Sequence, residues 1–558
     1  MVTLKDVPAN AVKFVFNTDY DITGEYLINY NQDTFSEEIA TGGKAENNQV
    51  TYTFTLAEAR DMIFYVSVPV GEYKFGFTLY DVDGKQILNK QGTTANTVSR
   101  KVLLKMPALI CDGEGSTVTA EEYLQKKLDA GGTVTLDDDY TGNFTVSDTV
   151  TLDLNGHKIT AAASTAAIKV ASGGNLTVNG GESGEIISAD YFAILNNGTL
   201  TINGGIYEST NDDVAVYNNG TATLNGGSYT GNYGAVSNYN NAKMTINGGN
   251  YKILSLGDNF YDQCVIGNYC GDITFNGAIS SYNSTYSVLT IENLESSGHL
   301  YFADGVSLPM VCVSDGTTQT EVRSYVADGA ALKQALENAK VNTVILNQNC
   351  TFTESITVSS DKVLDLGCHT LTYTGGGSDA QCSAFRVTAG TFTVKGTQDV
   401  TYDEDGNGTN TQSGITATGN SDTERHIFWA NGGKIVLEGE TIYNLGECTA
   451  ENATNYSIVY VDNSGTVEIS EGVFNQGSTN KYILVVDTGK GTISVTGGTF
   501  WYYDPSTGDN NIEGDTFVAD GYKSQCVPGE DDDLGKDYYL VVSATSGEES
   551  GEGEGAAG

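Results

Sequence analysis

The chain has 558 residues and a formal net charge of −43, because 28 Lys and Arg are set against 71 Asp and Glu. Nucleic acids and anionic lipids are bound by basic surfaces, and no cluster of Lys and Arg is present, so the sequence predicts no nucleic-acid partner. It also lacks an apolar run long enough for a transmembrane helix, so it predicts no transmembrane segment. The 67 Gly, 33 Tyr and six Pro favour strands and tight turns, which predicts an all-β protein.

Residues 1–113 alternate between apolar and polar side chains in several runs. These runs are VKFVFN (12–17), VTYTFTL (50–56), MIFYVSV (62–68) and YKFGFTLY (73–80). A period of two is typical of strands with one buried face, and Asp83-Gly84 favours a hairpin turn. The pattern predicts an antiparallel β-sandwich over residues 1–113.

Two pairs of matching segments then indicate a tandem duplication. EEYLQKKLDAGGTVTL (121–136) predicts a short amphipathic helix and a strand, and TLDLNGHKIT (151–160) follows it. ALKQALENAKVNTVIL (331–346) and VLDLGCHTLT (363–372) repeat this order. A stack of strands leaves apolar residues and strand edges open at its end, so each helix is expected to cover one such end.

Four segments of the first half share almost the same residues, namely LTVNGG (176–181), LTINGG (200–205), ATLNGG (222–227) and MTINGG (244–249). A repeat of about 22 residues is typical of a solenoid in which identical units stack. The apolar residue before each Asn-Gly-Gly is expected to stack inward, and the glycines to supply backbone angles that other residues avoid. One such unit is long enough for one turn of a right-handed parallel β-helix.

The second half keeps the strand-turn-strand pattern with less regular spacing. Its turn glycines, Gly439, Gly472 and Gly498, are further apart and unequally spaced, so longer loops are expected to leave the repeat. We predict two parallel β-helices, 114–325 and 326–545. The acidic, Gly-rich tail 546–558 is expected to be disordered.

The phrases LDLNGHKI and LxINGG behind a capping helix resemble the pectate-lyase-like superfamily of right-handed β-helices, and most of all the non-catalytic surface proteins of gut bacteria. The segments FYVSVPVGEYKFGFTLYDVDGKQIL (64–88) and RKVLLKMPAL (100–109) resemble fimbrillin-like β-sandwich regions of Bacteroidales surface lipoproteins. The first resemblance implies a right-handed β-helix for about 114–545, but proteins with this fold include lyases, hydrolases, adhesins and phage tailspikes. The second implies display at a cell surface, although the lipidated cysteine of that family is missing.

Candidate catalytic residues do not group in the sequence. Hydrolases of this scaffold direct two carboxylates at one bond, whereas neighbours such as Asp212 and Asp213 point to opposite faces of a strand. Arg386 and Arg425 lie outside any phrase that resembles the lyase pattern, and His426 has no acid or nucleophile beside it. We therefore expect no enzymatic activity and no obligatory cofactor.

One loop carries half of a calcium motif. Asp403, Asp405, Asn407 and Gly408 match the start of a calcium loop, in which alternate side chains face a hard cation. The twelfth position is Gly414 and not Glu, so the bidentate ligand is lost. Two interpretations stay open, a Ca²⁺ site and a flexible acidic loop.

Aromatic side chains are the binding candidates. Sugars pack their apolar faces on such rings, while Asn and Asp side chains form hydrogen bonds with the sugar hydroxyls. The alternative is that these rings fill or flank the strands. The candidates are Tyr217, Tyr229, Tyr233, Tyr239 and Tyr251 in the first half and Trp501, Tyr502 and Tyr503 near the end.

The sequence thus predicts a non-catalytic, extracellular or cell-surface protein that binds a glycan or a host or bacterial surface. Two alternatives remain. One is a virion fibre or tailspike, which is usually trimeric and is favoured by the lack of a recognisable signal peptide. The other is a polysaccharide lyase or glycoside hydrolase on the same scaffold.

Overall fold

The structure is a computed structural model of the chain that describes residues 1–20, 22, 48–68, 71–99, 103–106, 109–111, 117–211, 213–232, 234–254, 265–277, 279–281, 291–294, 297–314, 319–375, 382–402, 408–418, 424–446, 455–475, 482–487, 490–507, 516–528 and 537–545. Within these ranges the protein forms 51 strands and two short α-helices, which confirms the all-β class. The predicted tail 546–558 lies outside the described residues.

Three small sheets form the N-terminal part. The first four-stranded sheet has the spatial order Thr117–Val118, Leu109–Cys111, Val2–Val7 and Arg60–Phe64, and the second has the order Gln49–Thr53, Ala11–Thr18, Phe75–Asp81 and Gln86–Gln91. The third sheet contains only Gly71–Tyr73 and Asn96–Val98. The pairings are antiparallel except that Val2–Val7 runs parallel to Leu109–Cys111. Leu4 and Phe14, from different four-stranded sheets, belong to one buried cluster. Gly84 has φ 79° in the turn before Gln86–Gln91, as the hairpin prediction requires.

One sheet of 15 strands continues through most of the remaining chain, and its strands in spatial order are Phe144–Val146, Ile168–Val170, Ile194–Asn196, Val214–Asn218, Gly234–Asn238, Ile266–Asn268, Ile291–Leu294, Leu308–Ser314, Gln319–Val326, Thr343–Leu346, Lys362–Asp365, Thr391–Gly396, Lys434–Gly439, Gly465–Ile469 and Gly491–Val495. Its pairings are parallel apart from that of Leu308–Ser314 with Gln319–Val326, which is antiparallel. This pair separates two groups of strands. We call the strands from Gly132–Thr135 to Gly298–Phe302 the first stack and those from Thr343–Leu346 to Thr499–Trp501 the second stack.

The first stack is completed by a 12-stranded parallel sheet made of Gly132–Thr135, Thr149–Asp153, Asn175–Ser188, Thr199–Ser209, Thr221–Gly231, Ala242–Ile246, Gly271–Phe275 and Gly298–Phe302, with Tyr140–Thr141, Lys158–Thr160, Asn250–Ile253 and Ser280–Ser281 beside this path. The chain passes from a strand of the 15-stranded sheet to a strand of this sheet, bends, and returns one layer further on. The result is a stack of parallel strands like that of a β-helix.

The second stack adds a nine-stranded sheet and a five-stranded sheet. The strands of the nine-stranded sheet are, in spatial order, Cys350–Phe352, Thr370–Tyr373, Gly408–Ala417, Thr441–Leu445, Val473–Asn475, Thr499–Trp501, Tyr538–Ser543 and Tyr522–Val527, and Gln398–Tyr402 pairs beside this path. The strands of the five-stranded sheet are Ile356–Val358, Cys382–Val387, Glu424–Asn431, Asn455–Asp462 and Tyr482–Val486. Here the chain visits the 15-, nine- and five-stranded sheets in turn. Tyr538–Ser543 pairs antiparallel with Thr499–Trp501 and ends the nine-stranded sheet together with Tyr522–Val527.

The Asn-Gly-Gly segments behave as the sequence predicts. Val178, Ile202, Leu224 and Ile246 follow one another in register and are fully buried. The second glycine of each segment has positive φ, at 60°, 101°, 108° and 120° for Gly181, Gly205, Gly227 and Gly249. A residue with a Cβ meets a steric penalty in this region, so glycine fixes where each layer bends.

Both predicted helices are present. Ala120–Asp129 begins with a capping box, because Thr119 Oγ1 accepts from Glu122 N and the Glu122 carboxylate accepts from Thr119 N. Gly329–Glu337 is N-capped by Asp328, whose carboxylate accepts from the backbone N–H groups of Ala330 and Ala331. The buried leucines of the two helices, Leu124, Leu128, Leu332 and Leu336, join the cores of the first and second stacks respectively.

Candidate functional site

An inner column of tyrosines lies inside the first stack. Tyr207, Tyr229 and Tyr251 are fully buried, and their ring centroids stack 5.3 and 5.0 Å apart. Their hydroxyls donate to the carbonyl oxygens of Gly204, Gly226 and Gly248 at 2.8, 2.6 and 2.9 Å. Burial raises the pKa of all three phenols, so they remain protonated donors.

The inner column therefore holds the Asn-Gly-Gly corner in place. Each hydroxyl satisfies the carbonyl of the first glycine of its own corner, three residues before the tyrosine. Two sequence-predicted binding residues, Tyr229 and Tyr251, belong to this column and have no exposed surface for a ligand. At these two positions the structure agrees with the alternative interpretation, in which the rings fill the stack.

An outer column of aromatic rings lies along strands of the 15-stranded sheet, whereas the inner column belongs to strands of the 12-stranded sheet. Its members are Phe192, Tyr217, Tyr239 and Tyr269, with ring centroids 4.6, 4.9 and 4.6 Å apart. Tyr217 directly follows the inward-facing Ala215 and Val216 and therefore points outward. The three tyrosines are half-buried, whereas Phe192 is buried against Ala166 and Val214, a small apolar cluster separate from the main core.

The stacking limits what a ligand can contact. The ring spacing is close to the spacing of hydrogen-bonded strands, and the interplanar angles are 26°, 15° and 28°, so neighbouring rings cover each other's faces. A sugar cannot enter between two such rings. The outer column therefore presents ring edges and phenol hydroxyls. Burial, followed by the charge of Asp213, raises the pKa of Tyr217, so its hydroxyl stays a donor.

Amide side chains run beside the outer column. Asn219 Nδ2 donates to Asn197 Oδ1 at 3.1 Å, and Asn240 Nδ2 donates to Asn219 Oδ1 at 3.0 Å. Asn197 and Asn219 are half-buried and Asn240 is exposed, immediately after Tyr239 in the chain. Asn219 is two residues after Tyr217. Amide donors and acceptors thus accompany the phenol hydroxyls from layer to layer.

A buried asparagine ladder supports this surface from the inside. Asn196, Asn218, Asn238 and Asn268 are fully buried, and their side chains are joined by Nδ2 to Oδ1 hydrogen bonds of 2.7, 2.8 and 3.1 Å. Asn218 also donates to the carbonyl oxygens of Gly220 and Lys243. Satisfied amides in the interior fix one rotamer and one register, so the outer rings are held at a constant spacing.

The sequence does not predict several residues of the outer column and of the layer beneath it, namely Phe192, Tyr269 and the buried asparagines. A signal was available, because Asn-Asn-Gly-Thr occurs at 196–199 and again at 218–221. Tyr269 follows Asn268 as Tyr239 follows Asn238, but the layer between them is longer and falls outside the regular spacing.

The structure does not bring the remaining predicted residues to the outer column. Trp501 is half-buried and packs 5.1 Å from the ring of Tyr538, Tyr502 is 43% exposed with φ 60°, and Tyr503 is buried. These three lie at the end of the second stack. Tyr233, Asp212 and the predicted calcium ligands Asp403, Asp405 and Asn407 lie outside the described residues.

Within the described ranges, no three His, Cys, Asp or Glu side chains are arranged to hold a metal ion. Neither described helix is long and apolar enough to cross a bilayer.

Comparisons with known proteins gave no relative. No protein-family model, no curated protein and no solved structure matches the chain.

Proposed function

We propose that this protein is a non-catalytic glycan-binding protein, displayed outside the cell, that binds its ligand along the outer column. The observation that carries the proposal is the row of half-exposed phenols at a spacing of 4.6 to 4.9 Å next to a row of side-chain amides. Glycans offer hydroxyl groups and apolar ring patches at regular intervals, and both kinds of group are matched here.

The stacked geometry specifies how such a ligand would lie. Since the faces of the stacked rings are covered, the glycan follows the column lengthwise and contacts ring edges. The hydroxyls of Tyr217 and Tyr239 and the amides of Asn219 and Asn240 donate to or accept from its hydroxyls. Asp213, whose charge acts on Tyr217, accepts from Val214 N at 3.0 Å. Asp190 accepts from Asn211 Nδ2 at 2.9 Å, so both carboxylates make structural contacts.

We further propose that the two stacks are right-handed parallel β-helices related to the pectate-lyase-like superfamily and that residues 1–113 form a fimbrillin-like sandwich. The parallel registers and the nearly constant length of the layers in the first stack support the first part. Two four-stranded sheets with a shared buried cluster support the second. This architecture would hold the outer column away from the attached surface, as an adhesin requires.

The proposal is tested by titrating the protein with a panel of neutral and acidic oligosaccharides by calorimetry. Tyr217→Ala and Tyr239→Ala should each weaken binding about tenfold or more, because each removes a ring edge and a hydroxyl. Tyr301→Ala is the matched control, since Tyr301 is 51% exposed on the 12-stranded sheet of the same stack. Equal affinity of all three variants and the wild type would remove the outer column as the site. Release of shorter products from the panel would instead indicate a lyase or hydrolase.

A further inference from the structure

The five-stranded sheet of the second stack carries a cluster of polar and aromatic side chains that the glycan-binding proposal does not use. Ser383, His426 and Ser457 occupy one row across three adjacent strands, and Arg386, Trp429 and Tyr460 occupy a second row. The inward positions between the rows are apolar and belong to the core, as at Phe385 and Phe428. We call these six outward residues the polar cluster.

The side chains of the polar cluster contact one another. His426 Nδ1 is 2.8 Å from Ser457 Oγ, and the imidazole stacks on Tyr460 with ring centroids 4.6 Å apart. Trp429 meets Tyr460 edge to face at 6.2 Å. The Arg386 guanidinium lies 4.4 Å from the Trp429 ring centroid, and its Nε is 3.0 Å from the side-chain amide of Asn431.

Three polar atoms of the cluster have no hydrogen-bond partner among the residues that the structure describes. They are Ser383 Oγ, His426 Nε2 and Trp429 Nε1, and the three residues are 1%, 1% and 3% exposed. Buried polar groups are almost always paired in folded proteins, so three unpaired ones on adjacent strands point to a missing partner. Arg386 and Tyr460 are half-buried and bring the cluster to the surface.

The chemistry of these atoms defines that partner. An indole N–H can only donate, a serine hydroxyl can donate, and the guanidinium of Arg386 is a permanent cation. Burial lowers the pKa of His426 to about 3, so the imidazole is neutral. In the tautomer in which Nδ1 accepts from Ser457 Oγ, Nε2 carries the hydrogen and is a donor. Asp462 is paired with Asn431 across the strands and lies 3.9 Å from Lys490 Nζ.

We propose that the polar cluster is a binding site for an oxyanion group, that is, a carboxylate, sulfate or phosphate borne by a ligand. The anion would accept from Trp429 Nε1, His426 Nε2 and Ser383 Oγ, with Arg386 supplying the positive charge. Charge-assisted hydrogen bonds of this kind are among the strongest in proteins. The site is independent of glycan binding at the outer column.

Fluorescence gives a direct test, because the chain has only two tryptophans, Trp429 and Trp501. In a Trp501→Phe variant of the full chain, Trp429 is the sole indole. Its emission should change saturably when sodium sulfate, inorganic phosphate or sodium acetate is added at constant ionic strength maintained with sodium chloride. The anion that saturates at the lowest concentration identifies which of the three groups the site prefers.

Two variants in this background keep the test specific. Arg386→Gln should raise the half-saturating concentration about tenfold, the effect expected for losing one charge-assisted hydrogen bond. His426→Phe keeps a ring against Tyr460 and removes Nε2, and should weaken binding in the same direction. Arg323→Gln is the matched control, because Arg323 is paired with Glu321 at 2.7 Å on the strand Gln319–Val326 and should leave the curve unchanged.

Two results would overturn the proposal. The first is an emission of Trp429 that does not respond saturably to any of the three anions while circular dichroism shows a folded protein. The second is a response that Arg386→Gln leaves unchanged. Loss of anion binding without loss of oligosaccharide binding, or the reverse, would separate this site from the outer column.

Discussion

The two stacks place different chemistry at the same position of the layer. In both, a pair of buried residues marks a bend, as in Ala215-Val216 and Ile427-Phe428, and one outward residue precedes and one follows the pair. In the first stack these outward positions include Phe192 and Tyr217. In the second stack they include His426 and Trp429. The backbone therefore supplies a common frame, and the outward side chains decide whether a face becomes an aromatic column or a buried polar cluster.

The residue that follows the second outward position also differs between the two stacks. It is a buried asparagine in the first stack, at Asn196, Asn218, Asn238 and Asn268, and a small apolar residue in the second, at Val387, Ala430 and Val461. An asparagine ladder works only when each layer repeats the same turn, because every amide bonds to the next. The first stack meets this condition, because Asn196, Asn218 and Asn238 are 22 and 20 residues apart and Asn268 keeps the register after a longer layer of 30 residues. The second stack, with layers of unequal length, relies on apolar contacts there.

The largest predicted effect separates the two tyrosine columns. Tyr229→Ala should lower the free energy of unfolding by about 3–5 kcal/mol, because it opens a cavity in the core and leaves a glycine carbonyl unpaired. Tyr217→Ala should lower it by about 1 kcal/mol, since its ring is only half-buried. Urea denaturation of the two variants measures the difference. Equal losses would show that the outer column is as structural as the inner one.

The next effect compares the buried asparagine ladder with the row of asparagines at the Asn-Gly-Gly corners, Asn179, Asn203, Asn225 and Asn247. Asn218→Ala should cost about 2–4 kcal/mol, because it unpairs buried groups of Asn196 and Asn238. Asn225 lies in the row at the corners, where its side chain is exposed and its Nδ2 donates to Asn203 Oδ1 at 2.7 Å, so Asn225→Ala should cost less than about 1 kcal/mol. Thermal unfolding of both variants gives the comparison. A larger loss at Asn225 would contradict the role given to the buried ladder.

A third effect concerns pH and belongs to the second stack. The pKa of His426 is about 3 in the folded protein because of burial and near 6.5 when unfolded. The unfolded state therefore binds more protons between these values, and the free energy of unfolding falls by about 1.4 kcal/mol per unit as pH decreases through that window. When the pH is lowered from 6.5 to 5, the free energy of unfolding of His426→Gln should therefore fall by about 2 kcal/mol less than that of the wild type. Parallel curves for the two proteins would contradict a neutral buried imidazole.

The smallest effect compares the two capping helices. Thr119→Ala and Asp328→Ala each remove an N-cap and should lower stability by about 1 kcal/mol. Hydrogen exchange near each helix would show whether the loss stays within the adjoining stack. Increased exchange in the opposite stack would contradict independent caps and indicate cooperative unfolding through the 15-stranded sheet.

Much of the fold was predictable because it depends on local patterns. The Asn-Gly-Gly corners, the inward column at Val178 and Ile202, and the helices Ala120–Asp129 and Gly329–Glu337 each follow from short segments. The site was predicted only in part. Tyr217 and Tyr239 lie on the outer column, whereas Tyr229 and Tyr251 lie inside. Both sets recur with similar spacing, and spacing alone cannot tell whether a ring points into the stack or out of it.

The joining of the two stacks could not be predicted. The matching phrases at 151–160 and 363–372 suggest equivalent strands, yet Thr149–Asp153 belongs to the 12-stranded sheet and Lys362–Asp365 to the 15-stranded sheet. The antiparallel pair Leu308–Ser314 and Gln319–Val326 causes this change, because it connects one face of the first stack to a different face of the second. No sequence repeat records such a connection.

The sequence by itself determined the all-β class, the length of each layer in the first half, the bend at each glycine and the helix at the start of each half. These depend on side-chain alternation and on backbone angles that glycine alone adopts easily. Only the tertiary structure decided which tyrosines face outward and that Ser457 lies beside His426. It also decided that Ser383, His426 and Trp429 share one face. Such contacts arise between successive layers, whose residues are distant in the chain, so stacking and not local preference sets the neighbours.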